Sequence, residues 1–159
     1  MQPLRPLTLH DVPRMVEINE EGLPGTGKVT EEEMADLLSL SEFAMGLENQ
    51  QGLAGFVLCL LPKTRYGSLN YKWFNERYDE FLYVDRVAVA EEARSGGLGS
   101  ALYDAVAAHA QRMGCSVTAE VSLRPPNPGS MRFHARHGFD EIGVFEQAEK
   151  AVTMMIRRL

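Results

Sequence analysis

The segment Arg94-Ser-Gly-Gly-Leu-Gly-Ser100 stands between a β-branched stretch and an apolar stretch of helical spacing. Glycine lets the backbone approach a ligand closely and adopt positive φ. Where such a segment opens a helix, its free N–H groups converge on one point and the helix dipole adds partial positive charge. The contributing residues would be Ser95, Gly96, Gly97, Leu98, Gly99 and Ser100. The segment predicts a pyrophosphate site to which Arg94 adds a charge-assisted contact, the alternative being a strand–helix turn without a ligand.

Two carboxylates are candidates for acid–base chemistry. Asp85 lies two residues before Val87, and the alternation of a strand places both side chains on one face together with Val89. Glu120 lies in the middle of an apolar strand segment and is the stronger candidate. Each could be a base, an anchor for a substrate ammonium group, or half of a buried ion pair with Arg86.

Other motifs carry less weight. Residues 22–29, GLPGTGKV, nearly match a phosphate-binding P-loop, but Val29 stands where Ser or Thr should bind magnesium. A predicted helix also precedes this segment, so we interpret it as a connection between the first two helices that could border a substrate site. The His and Cys residues show no metal-ligand spacing, and no metal is predicted.

The predicted elements alternate between helices and strands along the whole chain. A short edge strand over 2–6 precedes a helix capped by Thr8, and Thr30 with Glu33 forms a capping box for a second helix ending near Leu40. A long helix over 97–113 and a short one over 130–137 follow. Strands are predicted over 43–48, 52–61, 81–89, 116–123, 139–145 and 152–157, and residues 62–79 form a long aromatic connection. This order predicts an α+β fold with a mixed sheet.

Composition restricts the class of protein. The chain has 159 residues, of which 45% are hydrophobic, which suits a single domain over 1–159. A net charge of −6 does not favour a nucleic-acid partner and is compatible with a cationic substrate such as an amine. We found neither a membrane span nor a signal peptide in the sequence, and therefore predict a cytoplasmic protein without a membrane partner.

These motifs resemble those of the GNAT superfamily of N-acetyltransferases. Arg94-x-x-Gly97-x-Gly99 is similar to its acyl-CoA signature, and Val87-Ala88-Val89 is similar to the strand before it. The segment from Asn127 through Phe133 and His134 to Gly138-Phe139 resembles the family's second motif, at the expected spacing. The resemblance extends over essentially the whole chain. It implies a mostly antiparallel sheet of six to seven strands flanked by about four helices.

The resemblance also implies roles for individual residues. The backbone of Val87, Ala88 and Val89 would bind the pantetheine arm of acetyl-CoA and place the acetyl carbonyl. Residues 94–100 would hold the pyrophosphate, Asn127 would contact the pantetheine region, and the helix with Phe133 would lie beside the thiol. His134 stands where many family members have a tyrosine that serves as general acid, and it is interpreted either as that acid or as a packing histidine.

The implied activity is transfer of an acetyl group from acetyl-CoA to a primary amine by direct attack. The acceptor could be a small molecule or a peptide, and Tyr71, Trp73 and Tyr83 are predicted to contact it. The aromatic connection could instead cover the sheet or form a dimer contact, and a homodimer through the C-terminal hairpin is left open. A non-catalytic acyl-CoA-binding or sensing module is the alternative function, and an interaction protein that keeps only the fold is a third.

Overall fold

The computed structural model describes residues 4–23 and 26–159. Seven strands occur in the described residues: β1 Leu4–Pro6, β2 Phe43–Asn49, β3 Gly52–Leu60, β4 Leu82–Val89, β5 Val117–Arg124, β6 Asp140–Gln147 and β7 Lys150–Arg157. Five α-helices accompany them: α1 Val12–Glu21, α2 Glu31–Leu40, α3 Leu69–Asn75, α4 Leu98–Met113 and α5 Pro128–Arg136. Short 3-10 turns precede α1 at Leu9–Asp11 and follow β4 at Glu91–Ala93.

The first helices begin where side chains satisfy backbone amides that have no partner within the helix. Thr30 Oγ1 accepts a hydrogen bond from Glu33 N at 3.1 Å, and the Glu33 carboxylate accepts from Thr30 N at 2.9 Å. The predicted capping box of α2 is therefore confirmed. Thr8 forms a capping box with Asp11 at the preceding 3-10 turn, so α1 itself begins at Val12.

The chain divides into two compact units, Met1–Leu60 with Val84–Val106, and Leu61–Tyr83 with Ala107–Leu159. In the first unit β2 pairs antiparallel with both β1 and β3. The core of this unit contains Met15 and Ile18 of α1, Met34 of α2 and Phe56 of β3, each fully buried. Position 55 favours glycine, because a Cβ there would lie only 3.2 Å from the Ala88 carbonyl oxygen.

The second unit contains the first residues of β4 and the strands β5, β7 and β6 in that order. Leu82 and Tyr83 pair in parallel with Val117 and Thr118, whereas β7 pairs antiparallel with both β5 and β6. An aromatic cluster fills its core: Tyr71 and Phe74 of α3 contact Phe81 and Tyr83, with ring centroids 5.3 to 6.3 Å apart.

The predicted fold class is confirmed: the sheet is mixed and mostly antiparallel, with seven strands. The structure has five α-helices against the four predicted, because α3 lies in the segment predicted as a connection. Its start is marked by Ser68, whose side chain accepts a hydrogen bond from Tyr71 N. The beginning of the predicted edge strand over 2–6 lies outside the described residues. The single domain over 1–159 stays a prediction.

Candidate active site

The glycine-rich segment leads directly into α4, as the sequence predicts. The first hydrogen bond of the helix runs from Ala101 N to Gly97 O at 3.0 Å, so the amides of Leu98 and Gly99 are not used within it. Gly97 has φ of +79°, and a Cβ built there would meet nothing within 4 Å. Ser95 also has a positive φ, +75°. This left-handed backbone places a surface without side chains beside the helix N-terminus, the arrangement that suits a phosphate group.

The guanidinium of Arg94 contacts protein carbonyls beside this segment. Its Nε donates to Val89 O at 3.2 Å and its Nη2 donates to Glu21 O at 2.9 Å, at the end of α1. Arg94 is exposed, so the guanidinium remains accessible from solvent. In this structure Arg94 ties the loop to α1, and its contact with a pyrophosphate stays a prediction.

The residues of β4 alternate as the sequence predicts. Asp85, Val87 and Val89 are half-buried, while Arg86 and Ala88 between them are buried. Asp85 forms an ion pair with its neighbour: Arg86 Nε donates to Asp85 Oδ2 at 2.7 Å, and both side chains are less than 8% exposed. The structure therefore supports the ion-pair interpretation of Asp85. A carboxylate engaged in this way is a weaker base candidate than one that is not neutralised by a cation.

Glu120 lies on β5 in the second unit and has a tyrosine partner. The Tyr83 hydroxyl donates to Glu120 Oε1 at 2.7 Å, and Tyr83 is 1% exposed. The parallel register that pairs Tyr83 with Thr118 places Tyr83 on the same face as Glu120, two residues further along β5. Tyr83, predicted as a substrate contact, is thus a hydrogen-bond donor to the leading base candidate.

His134 is buried in α5, and its surroundings favour the packing interpretation over the acid. Burial lowers the pKa of His134 below its usual value, which favours the neutral ring. Its Nδ1 lies 2.8 Å from Ser130 O, and because a carbonyl only accepts, Nδ1 carries the proton. The neutral ring then has no proton on Nε2 to donate. Phe133 and Phe139 pack edge-on against it at 5.6 and 5.1 Å.

The remaining predicted site residues lie in the second unit. Asn127 caps α5 through Oδ1, which accepts from Ser130 N at 3.2 Å, so its Nδ2 is the group that can reach a ligand. The Tyr71 hydroxyl donates to Leu61 O and accepts from Thr64, and the ring is buried. These contacts make Tyr71 a core residue. Trp73 is half-buried, with the Arg77 guanidinium 3.9 Å from its ring centroid.

Comparison with known proteins identifies the family. The profile of the Acetyltransferase (GNAT) family matches residues 13–139, which is most of the chain. The chain belongs to the GNAT acetyltransferase family. It is an acyltransferase. A search of curated proteins gave no match.

Solved structures share the fold of this GNAT acetyltransferase. Ard1 from Thermoplasma volcanium superposes with a TM-score of 0.79 at 21% identity, covering 99% of this chain and 97% of the other. The ribosomal-protein-S18-alanine N-acetyltransferase from Escherichia coli gives 0.76 at 16% identity, covering 99% and 94%. Naa50 from Arabidopsis thaliana, in complex with the bisubstrate analogue CoA-Ac-MVNAL, gives 0.75 at 16% identity, covering 99% and 98%.

The cysteines of the acetyltransferase are poor nucleophiles. Burial raises the pKa of the Cys59 thiol strongly, and burial together with Glu80 raises that of Cys115. A raised pKa keeps a thiol protonated and unreactive. Within residues 4–23 and 26–159, no three His, Cys, Asp or Glu side chains converge as metal ligands, and no helix has both the length and the apolar character needed to cross a bilayer.

The sequence analysis did not identify Asn19 as a residue of interest. Asn19 is fully buried. Its side-chain amide accepts a hydrogen bond from Arg86 and donates one to the backbone of the loop after α1. The available signal was its position four residues after Met15, on the buried stripe of α1, where a polar residue needs a partner. The sequence gives no indication that Arg86 is that partner.

Proposed function

We propose that this acetyltransferase moves an acetyl group from acetyl-CoA to a primary amine by direct attack, without a covalent enzyme intermediate. The observation that carries the proposal is the start of α4, where the left-handed Gly97 and the unused amides of Leu98 and Gly99 present an anion site without side chains. The amine nitrogen attacks the carbonyl carbon of the donor's thioester, the C–S bond breaks, and coenzyme A leaves as a thiolate that takes its proton from solvent. The backbone of Val87 and Val89, next to this loop in the chain, would bind its pantetheine arm.

The acceptor must lose a proton before or during attack, because only a neutral amine is nucleophilic. Glu120 is the group that we propose receives it, directly or through water. The hydrogen bond that the Tyr83 hydroxyl donates to Oε1 holds the Glu120 carboxylate in one orientation. Neither a metal nor a cysteine nucleophile is needed for this route.

A titration with acetyl-CoA tests the donor site. Gly97→Glu should abolish binding, because its carboxylate would occupy the open space beside the helix N-terminus and repel the pyrophosphate. Gly114→Glu is the matched control: Gly114 follows the other end of α4, has φ of +75°, and also has nothing within 4 Å of its Cβ position. Both variants carry the same backbone strain and charge.

The expected result is that Gly114→Glu keeps the affinity for acetyl-CoA and Gly97→Glu loses at least ~100-fold, the loss of about 3 kcal/mol expected when several charge-assisted contacts disappear. Equal affinities in the two folded variants would exclude the loop as the phosphate site. Binding without turnover of any amine would support a non-catalytic acyl-CoA-binding module instead.

A panel of amines tests the acceptor half through release of free thiol. The panel includes spermidine, free lysine, an aminoglycoside and hexapeptides with free N-termini. Peptides are included because the Arabidopsis neighbour was solved with a peptide-bearing bisubstrate analogue and the Escherichia coli neighbour acts on a ribosomal-protein alanine. The net charge of −6 favours cationic amines at encounter. The cytoplasmic location and a homodimer stay proposals, to be checked by fractionation and by solution mass.

A further inference from the structure

Asn19 occupies a core position of α1, and both polar atoms of its amide have partners. Its side chain is 0% exposed. Oδ1 accepts from Arg86 Nη1 at 3.1 Å, and Nδ2 donates to Gly27 O at 2.9 Å. A buried amide is tolerated only with such partners, so Asn19 connects β4 to the segment that follows α1.

Arg86 holds the same carbonyl from a second direction. Its Nη1 donates to Gly27 O at 3.0 Å, while its Nε is neutralised by Asp85. The position of a Cβ on Gly27 would lie 4.0 Å from Arg86 Nη2, the nearest atom to it. Thr26 adds a third tie, because its Oγ1 donates to Asn19 O at 3.1 Å. We call Asp85, Arg86 and Asn19 the buried polar chain.

This arrangement fixes a loop more than it stabilises a core. A buried ion pair is often no more stabilising than apolar side chains of the same volume, but it selects one geometry because every partner must be satisfied. The geometry selected here places the backbone of Gly27 against Arg86. Arg86 immediately precedes Val87, whose backbone we assign above to the acetyl donor, so the backbone of Gly27 is fixed next to that strand.

We propose that Asn19 is a positioning residue for the acceptor: together with Arg86 it holds residues 26–30 beside β4 as one wall of the acceptor entrance. The acceptor part of this inference rests on the proposed acetyl transfer. The positioning part does not, because it concerns only the order of the loop. Asp85 serves within the buried polar chain as the counter-ion that keeps Arg86 in place.

Trypsin cleavage after Lys28, which is exposed within this segment, measures how often the loop opens. Asn19→Asp keeps the oxygen that Arg86 binds but replaces the donor to Gly27 O with a second oxygen. We expect cleavage after Lys28 to become about 5- to 10-fold faster, the factor that follows from losing one buried hydrogen bond. Thr26→Val keeps the side-chain shape and removes the hydrogen bond to Asn19 O, so it should raise the rate of cleavage after Lys28 about two- to fivefold. This variant replaces Asn19→Asp in the test if Asn19→Asp does not fold.

Asn75→Asp is the matched control. Asn75 also makes one accepting and one donating bond, from Lys63 N at 2.8 Å and to Tyr71 O at 3.1 Å, but lies in the second unit. It should leave cleavage after Lys28 unchanged. If Asn19→Asp and Thr26→Val are both cleaved there within twofold of the unaltered protein, the positioning role is wrong.

Steady-state kinetics with the panel amine of highest turnover test the acceptor role. Asn19→Asp should raise the KM for that amine about fivefold while kcat and the KM for acetyl-CoA stay within twofold, because a loosened wall lowers binding before chemistry. An unchanged amine KM, or equal losses toward both substrates, would overturn the acceptor assignment. Failure of the unaltered protein to acetylate any panel amine would count against the proposed function instead, and the cleavage assay would still decide whether the loop is held.

Discussion

Replacing Glu120 by glutamine separates its chemistry from its packing. Glutamine has nearly the same shape and keeps a side-chain carbonyl that can accept the hydrogen bond now made by the Tyr83 hydroxyl at 2.7 Å. It lacks the negative charge and cannot take a proton at neutral pH. The exchange turns a charge-assisted hydrogen bond into a neutral one, which costs about 1 kcal/mol of folding stability.

The expected effect on the reaction is much larger than that on folding. A positioned general base accelerates a reaction roughly 10²- to 10⁴-fold, so kcat/KM for the amine should fall by about that factor. This corresponds to a loss of about 3–5 kcal/mol of transition-state stabilisation. Acetyl-CoA affinity should stay within twofold, because glutamine keeps the shape of the side chain and the exchange changes no residue of the segment 94–100. Thiol release at pH 7.5 and titration calorimetry give the two numbers.

Tyr83→Phe is the companion variant. It removes the donor hydroxyl and leaves the carboxylate, so catalysis should fall about tenfold, less than in Glu120→Gln, since the base is kept but no longer held. A Glu120→Gln protein that is folded and retains kcat/KM within threefold would refute the assignment. The base would then have to be sought elsewhere, and Asp85, neutralised by Arg86, would need to act through water.

Two further predictions concern stability. Burial lowers the pKa of His134, so its imidazole binds a proton more readily in the unfolded chain than in the folded one. The contribution of the buried neutral ring to stability is therefore complete above about pH 6.5 and declines as the pH falls from that value toward the lowered pKa of the folded state. The free energy of urea unfolding should decline less between pH 7.5 and 5.0 in His134→Gln than in the unaltered protein, and equal declines would contradict the burial argument. Asp11, whose pKa is lowered by Arg5, affects stability only below about pH 4 and does not interfere. Thr30→Ala should cost ~1 kcal/mol by removing the cap of α2, whereas the exposed Ser39→Ala should change stability by less than ~0.5 kcal/mol. Indistinguishable urea midpoints for these two variants would show that the Thr30 cap contributes nothing.

Local chemistry explains why much of this fold could be predicted from the sequence. The capping box of Thr30 and Glu33, the positive φ of Gly97 and the helix that follows it depend on residues within a few positions of one another. The same holds for the alternation along β4, which places Asp85, Val87 and Val89 on one face. Because such features depend on neighbouring residues alone, the start of α4 was predicted to within one residue.

The helix α3 was missed because its stability is tertiary. It has seven residues, too few to persist alone, and it is held by the packing of Tyr71 and Phe74 on Phe81 and Tyr83. The same packing turned Tyr71 from a predicted substrate contact into a core residue. An aromatic-rich stretch looks alike in sequence whether it covers a site or fills a core.

The tertiary structure alone decided which side chains become the partners of Asp85 and Glu120. The sequence left Arg86 as a partner for either Asp85 or Glu120, since both lie on apolar strands. The fold assigns it to Asp85 and Asn19, and assigns Tyr83 to Glu120 across 37 residues through the parallel register of β4 and β5. In the sequence, the motifs at 94–99 and 127–139 carried the resemblance to the GNAT family, and the local pattern placed the glycine-rich segment before α4. The partners of each charge depend on distances between distant segments, which a strand or helix period does not contain.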